Sequence, residues 1–191
     1  MLADAVVPIA YSPRTGQHHH NLRTYKAAPP SRQAQWNLLA LLLLFLRDHL
    51  PCITAATGGR PTHLVTVPST RGRSGPHPLV SLVGGRLNLS PIPVRTNTTY
   101  GADERDFHDD WFTVDLAEAA KPVHALVLDD TWTTGARAQS LAHALKRSGA
   151  VTVAVVVLGR HINPEHRQSA SLLAAIRDQV FDPARCALDG R

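Results

Sequence analysis

Apolar and polar segments alternate along the chain in a way that predicts buried strands separated by helices. Three apolar runs have the length of strands, at residues 63–67, 125–128 and 151–158, and the last is nearly all valine. Two segments have the apolar spacing of helices, residues 136–148 and residues 171–180. Strands that are apolar throughout are covered on both faces, so we predict an α/β domain with a parallel sheet flanked by helices.

The N-terminal third predicts a short strand and two helices. Residues 6–11 have strand character, and residues 18–26 permit a short helix. Pro29-Pro30-Ser31 then provides a break and a helix N-cap. From residue 32 to residue 50 the chain is so rich in leucine that we expect one long helix buried over most of its circumference.

Composition excludes a disordered chain and indicates anionic partners. Of 191 residues, 43% are hydrophobic and 18% charged, which is enough apolar material for the core of a single domain. The formal net charge is +5 at pH 7. A basic protein of this kind favours anionic ligands, and these include small phosphorylated molecules as well as nucleic acid.

Cysteine usage and apolar run lengths predict a cytoplasmic protein. The two cysteines, Cys52 and Cys186, are far apart in sequence and form no Cys-x-x-Cys pair. The longest apolar run, residues 38–46, is short beside the roughly 20 residues that a membrane span needs. No signal peptide is recognisable at the N-terminus, and we expect no membrane association.

The segment 125–137 carries the chemistry. It reads as a buried strand, two carboxylates, a turn with hydroxyls and a glycine, and the start of a helix. Ligands of open α/β sheets bind at the carboxyl ends of strands, and a helix N-terminus attracts phosphate. Carboxylates beside a phosphate cradle suit a phosphorylated sugar, because they accept hydrogen bonds from ring hydroxyls. The residues concerned are Asp129, Asp130, Thr133, Thr134 and Gly135.

The run Asp129-Asp130-Thr131-Trp132-Thr133-Thr134-Gly135 resembles the phosphoribosyl pyrophosphate (PRPP) motif of the type I phosphoribosyltransferases. Other features resemble the ComF-type subgroup in its actinobacterial form. These features are Tyr11, the basic segment ending in Leu22-Arg23-Thr24-Tyr25-Lys26, Val65-Thr66-Val67-Pro68-Ser69, and Gly159-Arg160-His161.

The resemblance implies a role for each matched residue. Asp129 and Asp130 would hold the ribose hydroxyls, directly or through Mg²⁺, and would be the metal contacts. Thr133, Thr134, Gly135, Ala136 and Arg137 would surround the 5′-phosphate. Ser69, Thr70, Arg71 and Gly72 would form the pyrophosphate loop, in which Arg71 could pair with phosphate oxygens bidentately.

The resemblance also implies the architecture and activity. A single phosphoribosyltransferase-like domain over residues 1–191 would carry a small variable hood, built from residues 1–60 and the C-terminal tail. Residues 96–110 would form a catalytic lid, with Arg105 as a third catalytic candidate beside the two aspartates. The enzyme would be Mg²⁺-dependent, would act in nucleotide metabolism, and would transfer phosphoribosyl from PRPP to a small nitrogenous acceptor with release of pyrophosphate.

Two departures from the family pattern bear on the site. Arg137 stands where many members have a hydroxyl residue, so it either serves the phosphate by charge or points to solvent. The cysteine-based zinc ribbon of many ComF-type proteins is missing. Cys186 has only Asp189 where a second cysteine might have stood, so we expect no zinc site.

Several residues have two readings. The run His18 to His20 cannot form a metal site with all three rings, because adjacent side chains do not share a face, so a solvated or anion-facing segment is favoured. Arg160-His161 is either a cleft element or an exposed turn. Trp132 is expected to pack beneath the phosphate turn rather than stack on a base. For Lys26 and Arg23, a simple basic surface is favoured over a role in the cleft.

Three alternatives to an enzyme stay open. The same fold could bind PRPP as a sensor, or take part in DNA uptake or another association with nucleic acid, without turnover. A receiver-like domain is a third alternative, and the Thr-Thr-Gly turn argues against it. The family resemblance also makes a homodimer an expectation by analogy.

Overall fold

A computed structural model describes residues 1–14, 16–69, 77–101, 103–163, 165, 169–176 and 179–189. The strands are β1 (Ala5–Pro8), β2 (Tyr11–Pro13), β3 (His63–Thr66), β4 (Ser90–Pro91), β5 (Val94–Thr96), β6 (Phe112–Val114), β7 (His124–Trp132) and β8 (Thr152–Ile162). The helices are α1 (Gln17–Thr24), α2 (Arg32–Thr57), α3 (Pro78–Val83), α4 (Ala136–Arg147) and α5 (Ala170–Ile176).

The central sheet is parallel, as the apolar strands predict. Its order is β1-β8-β7-β3-β4, and β2 pairs with the far end of β8. Strands β5 and β6 form a separate antiparallel pair, and residues 97–111 connect them. The predicted α/β class with helices around a parallel sheet is therefore confirmed.

Two hydrophobic layers cover the sheet. Successive side chains of a strand point to opposite faces, so Leu126 and Leu128 of β7 pack in one layer, whereas Ala125 and Val127 pack in the other. The first layer contains the buried faces of α1, α2 and α3, and the second contains α4 and the β5–β6 pair. Burial of both sheet faces accounts for the lack of polar alternation in β7 and β8.

Helix α2 begins as predicted but ends later. The Ser31 hydroxyl accepts a hydrogen bond from the backbone N–H of Ala34 at 3.2 Å, which confirms the N-cap. The predicted end at residue 50 is wrong, because the helix continues through Pro51 to Thr57 and stops at Gly58, whose φ of 76° is left-handed. Burial of Ile53 beyond the proline stabilises this last part of the helix.

The expectation that α2 is buried over most of its circumference is wrong. Trp36 is 65% exposed and Leu44 is 48% exposed, because only one face of the helix packs on the sheet. By length and apolar composition α2 is the one helix in the described part of the chain that could cross a membrane, a test that core helices of globular domains also pass.

Three other boundaries differ from the sequence prediction. Strand β7 extends to Trp132 because β8 pairs with it as far as Arg160, and β8 extends to Ile162 because β2 pairs with its end. The described helix α5 is Ala170–Ile176, and Val180, which the apolar spacing predicts to be helical, is 91% exposed and outside any helix. None of the residues Ala170–Ile176 is buried, so tertiary packing contributes little to the stability of this helix.

Candidate functional site

A cavity of about 460 Å³ opens at the carboxyl ends of β3, β7 and β8. Its floor is the end of β7 and the first turn of α4, and one wall is formed by α1 and the residues that follow it. Glu104 and Arg105, from the segment between β5 and β6, form another part of the lining. The position is the one at which open α/β sheets bind ligands.

The turn between β7 and α4 is shaped for close approach to an anion. Gly135 is the N-cap of α4 with φ 82°, a left-handed conformation that side chains rarely adopt. A Cβ at this position would lie 2.0 Å from the Trp132 ring, so Trp132 fills the space beneath the turn. The prediction that Trp132 packs rather than presenting its ring to a base agrees with this contact. The twelve-residue helix α4 then directs its N-terminus at the cavity.

Asp130 is the anchor of the site's polar network. It is 7% exposed, and its Oδ2 atom accepts hydrogen bonds from the Tyr25 hydroxyl at 2.5 Å and from Lys26 Nζ at 2.6 Å. His77 Nε2 lies 3.8 Å from the same oxygen. Burial by itself would raise the pKa of Asp130, but the Lys26 charge, the hydrogen bonds from Lys26 and Tyr25, and His77 outweigh burial and lower it.

Asp129 lies next to Asp130, and its pKa is shifted in the opposite direction. Burial, followed by the charge of Asp130, raises the pKa of Asp129 to about 7. The backbone N–H of Thr131 and the charge of Lys26 oppose this rise without cancelling it. Asp129 is therefore a carboxylate that gains from a cation or a hydroxyl donor brought by a ligand.

Replacing Asp129 with asparagine is expected to stabilise the ligand-free protein. Because the folded pKa lies above the ordinary value of 3.8, the folded protein keeps a proton that the unfolded chain loses between about pH 4 and 7, and ionisation costs stability over that window. We expect the free energy of unfolding of Asp129→Asn to rise by on the order of 1–2 kcal/mol at pH 8, or about 2–8 °C in Tm. Thermal unfolding from pH 4 to pH 8 should show the gain disappear toward pH 4.

Asp130→Asn provides the contrast, since it removes the negative charge that pairs with Lys26 and strengthens the buried hydrogen bonds from Lys26 and Tyr25, and it is expected to lower Tm. If both variants change Tm in the same direction, the opposite assignments of the two carboxylates are wrong.

The structure brings most of the sequence-predicted site residues to this cavity. Asp129 and Asp130 lie at the end of β7, and Arg105 and Ser69 lie in the lining. The phosphate-turn candidates that line the cavity are Thr133, Thr134, Gly135, Ala136 and Arg137. Three candidates of the pyrophosphate loop lie outside the described residues: Thr70, Arg71 and Gly72.

The segment between β5 and β6 contacts the turn between β7 and α4 directly. The Thr134 hydroxyl donates a hydrogen bond to the backbone carbonyl of Arg105 at 3.1 Å. The Arg137 guanidinium lies 5.6 Å from the centre of the Trp111 ring, whose side chain is fully buried. Of the two readings of Arg137, the one that points it to solvent is not the one observed, because its side chain is half-buried between this ring and the cavity.

Sequence reasoning missed the main partner of Asp130. The expectation that Lys26 belongs to a simple basic surface is wrong, because folding places its ammonium against a buried carboxylate. Arg23 also lines the cavity. The available signal was the Tyr25-Lys26 pair itself, at the end of the polar and basic segment of residues 18–26. No signal in the sequence pointed to His77.

The run His18 to His20 and the Arg160-His161 pair each place one side chain in the cavity and direct the others away from it. His18 Nε2 bonds the Leu158 carbonyl at 2.8 Å, and burial lowers its pKa. His19 faces the cavity with its ring 5.2 Å from that of His161, whereas His20 is exposed. The pKa of His19 is lowered by burial and then by the neighbouring charges of His161, Arg23 and Arg14. Arg160 is exposed, so only one residue of each group extends into the cleft.

The described lining carries an excess of positive charge. Five arginine or lysine side chains face three carboxylates, and three histidines add further N–H donors. The cations are Arg14, Arg23, Lys26, Arg105 and Arg137, and the anions are Glu104, Asp129 and Asp130. A cavity with this balance favours a ligand with several negative charges.

Comparisons with protein-family models, with curated proteins and with solved structures found no match.

Proposed function

We propose that this protein is a type I, ComF-like phosphoribosyltransferase that binds PRPP and transfers its phosphoribosyl group to a nitrogenous acceptor, releasing pyrophosphate. One observation carries the proposal. The two carboxylates at the end of β7 share a cavity with the left-handed Gly135 turn at the start of α4. A polyanionic sugar phosphate fits this arrangement, since phosphate takes the helix N-terminus and ribose hydroxyls take the carboxylates.

The residues of the site would act by position and charge. The N–H groups of the first turn of α4 and the Thr133 hydroxyl would hold the 5′-phosphate, joined by the Thr134 hydroxyl once it turns away from the Arg105 carbonyl. Lys26 and Tyr25 fix Asp130 in one orientation, so the ribose would meet a preorganised acceptor. As the bond from the anomeric carbon to pyrophosphate breaks, positive charge develops on the ring, and the two carboxylates would stabilise it.

The residues present fit Mg²⁺. The ion prefers oxygen ligands and retains several waters, so one or two carboxylates with substrate phosphates suffice. Asp129 would be the main protein contact, because a nearby divalent cation removes the unfavourable ionisation that its raised pKa reflects. When bound, Mg²⁺ would neutralise charge on the pyrophosphate.

The cavity wall formed by Arg14 and residues 16–26 favours an anionic acceptor, because it carries Arg14 and Arg23. A second cavity of about 410 Å³ adjoins the first and shares Arg14, His19 and Arg23 with it. Within the described part of the chain, Arg14 forms an exposed ion pair with Glu165 at 3.7 Å, and such a pair can give way to a ligand at little cost. An acceptor screen should therefore begin with amines and nitrogen heterocycles that carry a carboxylate. Such substrates would be met in the cytoplasm, which is the location we propose.

PRPP with Mg²⁺ is expected to raise the Tm of the protein by about 5–10 °C. A ligand at about 100 times its Kd adds ~2.7 kcal/mol, which has this effect in a domain of this size. The measurement is a thermal shift on the wild type, on Asp129→Asn and on Asp115→Asn, an exposed carboxylate outside the cavity. We expect the wild type and Asp115→Asn to shift and Asp129→Asn not to shift. Equal shifts in all three, or none, would count against the proposed site.

Pyrophosphate release separates the enzyme from its alternatives on the same fold. Release that depends on an acceptor supports transfer, whereas PRPP binding with no release for any acceptor supports a sensor. Nucleic-acid association would appear as binding that weakens steeply with salt.

A further inference from the structure

Three metal-ligating side chains meet at the C-terminal half of α2, outside the cavity described above. The ligand atoms of His49, Cys52 and Cys186 all lie within 4.8 Å of one another. His49 and Cys52 are three residues apart and so share one face of the helix, and Cys186 comes from the C-terminal segment. The two cysteines, far apart in sequence, are thus neighbours in the fold, and the reasoning that left Cys186 without a cysteine partner is wrong.

The orientation of His49 prepares one ring nitrogen to bind a metal. Its Nε2 atom lies 2.8 Å from the carbonyl oxygen of Pro183, an acceptor that requires the hydrogen to be on Nε2. The Nδ1 lone pair therefore points toward the thiols, and this atom lies 3.9 Å from Cys52 Sγ. Metal-binding histidines are typically oriented by such a bond from the other ring nitrogen to a carbonyl.

A carboxylate stands beside this cluster. Asp189 Oδ2 accepts a hydrogen bond from the backbone N–H of Cys186 at 2.7 Å, and its Oδ1 atom lies 3.5 Å from Cys186 Sγ. One imidazole, two thiols and one carboxylate make four donors, the number that zinc takes in a structural site.

We propose that His49, Cys52 and Cys186, with Asp189 as the fourth ligand, form a structural zinc site. Two thiolates and an imidazole select zinc over the hard ions Mg²⁺ and Ca²⁺. With Zn–S bonds of about 2.3 Å, tetrahedral geometry places ligand sulfurs roughly 3.8 Å apart. The ligand atoms of His49, Cys52 and Cys186, all within 4.8 Å of one another, would therefore need to approach by about 1 Å or less, and the Asp189 carboxylate beside Cys186 would turn in to complete the site.

The site would fasten the C-terminal segment to α2. Residues 179–189 are mostly exposed, and only Cys186 and Leu188 of this segment pack against the core. Such a segment has few apolar contacts to offset the entropy of ordering it, and a metal supplies what the packing lacks. The zinc site is independent of the proposed transferase activity, because none of its four residues lines the cavity at the end of β7.

Cobalt substitution tests the proposal on the whole chain. The reduced protein is freed of metal with a chelator and titrated with Co²⁺, which reports thiolate ligands by a sulfur-to-cobalt charge-transfer band and tetrahedral geometry by its visible bands. We expect saturation at one equivalent, displacement by Zn²⁺, and loss of most of the charge-transfer absorption in Cys186→Ser. His20→Ala removes an exposed histidine of α1, so its spectrum should match that of the wild type.

The fourth ligand has its own variant. Asp189→Asn is expected to weaken Zn²⁺ affinity at least tenfold, measured by competition with a chromophoric chelator. A tail held by zinc should also become sensitive to protease when the chelator is added, a readout that does not require Cys186→Ser to fold. The proposal fails if the reduced wild type gives no charge-transfer band, if Cys186→Ser keeps the full band, or if the two thiols form a disulfide under reducing conditions. Unchanged affinity in Asp189→Asn would overturn the assignment of that ligand.

Discussion

Replacing Gly135 with alanine is expected to abolish PRPP binding and to lower the free energy of unfolding by about 2–4 kcal/mol. The new Cβ would meet the Trp132 ring at 2.0 Å, and a φ of 82° is strained for any residue with a side chain. The turn must move to relieve the contact with Trp132 and the backbone strain. Its N–H groups would then no longer point at the proposed 5′-phosphate. Denaturant unfolding measures the stability change, and the PRPP thermal shift measures the binding.

Gly85→Ala is the matched control for the backbone strain. Gly85 has a similar φ of 70°, but a Cβ there meets nothing within 4 Å. The free energy of unfolding of this variant should fall only by the strain of the left-handed conformation, about 1–2 kcal/mol, and the variant should bind PRPP as the wild type does. If Gly135→Ala and Gly85→Ala lose equal amounts of stability and PRPP binding, the Trp132 contact does not determine the shape of the turn.

Replacing Lys26 with methionine is expected to destabilise the protein by about 3–5 kcal/mol near pH 7, which corresponds to about 6–20 °C in Tm. The substitution leaves Asp130 buried without its cation, while the methionine keeps the length of the stem. Because the folded pKa of Asp130 is lowered, the stabilisation from this pair is present above the ordinary carboxyl range and is lost as pH falls through the folded pKa. The difference from the wild type should therefore shrink in acid, measured by thermal unfolding from pH 3 to pH 8.

Arg47→Met is the control for removing a surface ion pair. Arg47 and Asp48 are bonded at 2.6 Å, but their side chains are 68% and 38% exposed, and water replaces the pair. This variant should leave Tm unchanged within error. A Lys26→Met protein with the same Tm as Arg47→Met would refute the claim that the Lys26–Asp130 pair is integral to the fold.

The features that follow from local sequence were predictable. Ser31 is predictable as an N-cap because its hydroxyl accepts from the N–H three residues away, a contact that does not depend on the rest of the fold. The strand before Asp129 and the helix after Gly135 follow from apolar periodicity, and a glycine between them is a turn signal. Because the carboxyl ends of parallel strands lie at one edge of the sheet, the sequence alone predicts a cleft at that edge.

The features that depend on distant neighbours were not predictable. The end of β8 is a strand because β2 pairs with it, and a sequence read in local windows contains no such partner. The same limit explains the wrong end of α2, since a proline predicts a break unless tertiary packing supplies compensating burial.

Local sequence patterns are sufficient to predict the α/β class, the order of most elements and the segment that brings two carboxylates and a glycine turn together, because these depend on residues a few positions apart. The tertiary structure alone decided that Lys26 pairs with Asp130 across 104 positions and that Cys52 meets Cys186. The charge and the donor or acceptor atoms of a side chain determine which interactions it can make. Which partner it meets is set by the packing of helices on the sheet, and that packing is a property of the whole chain.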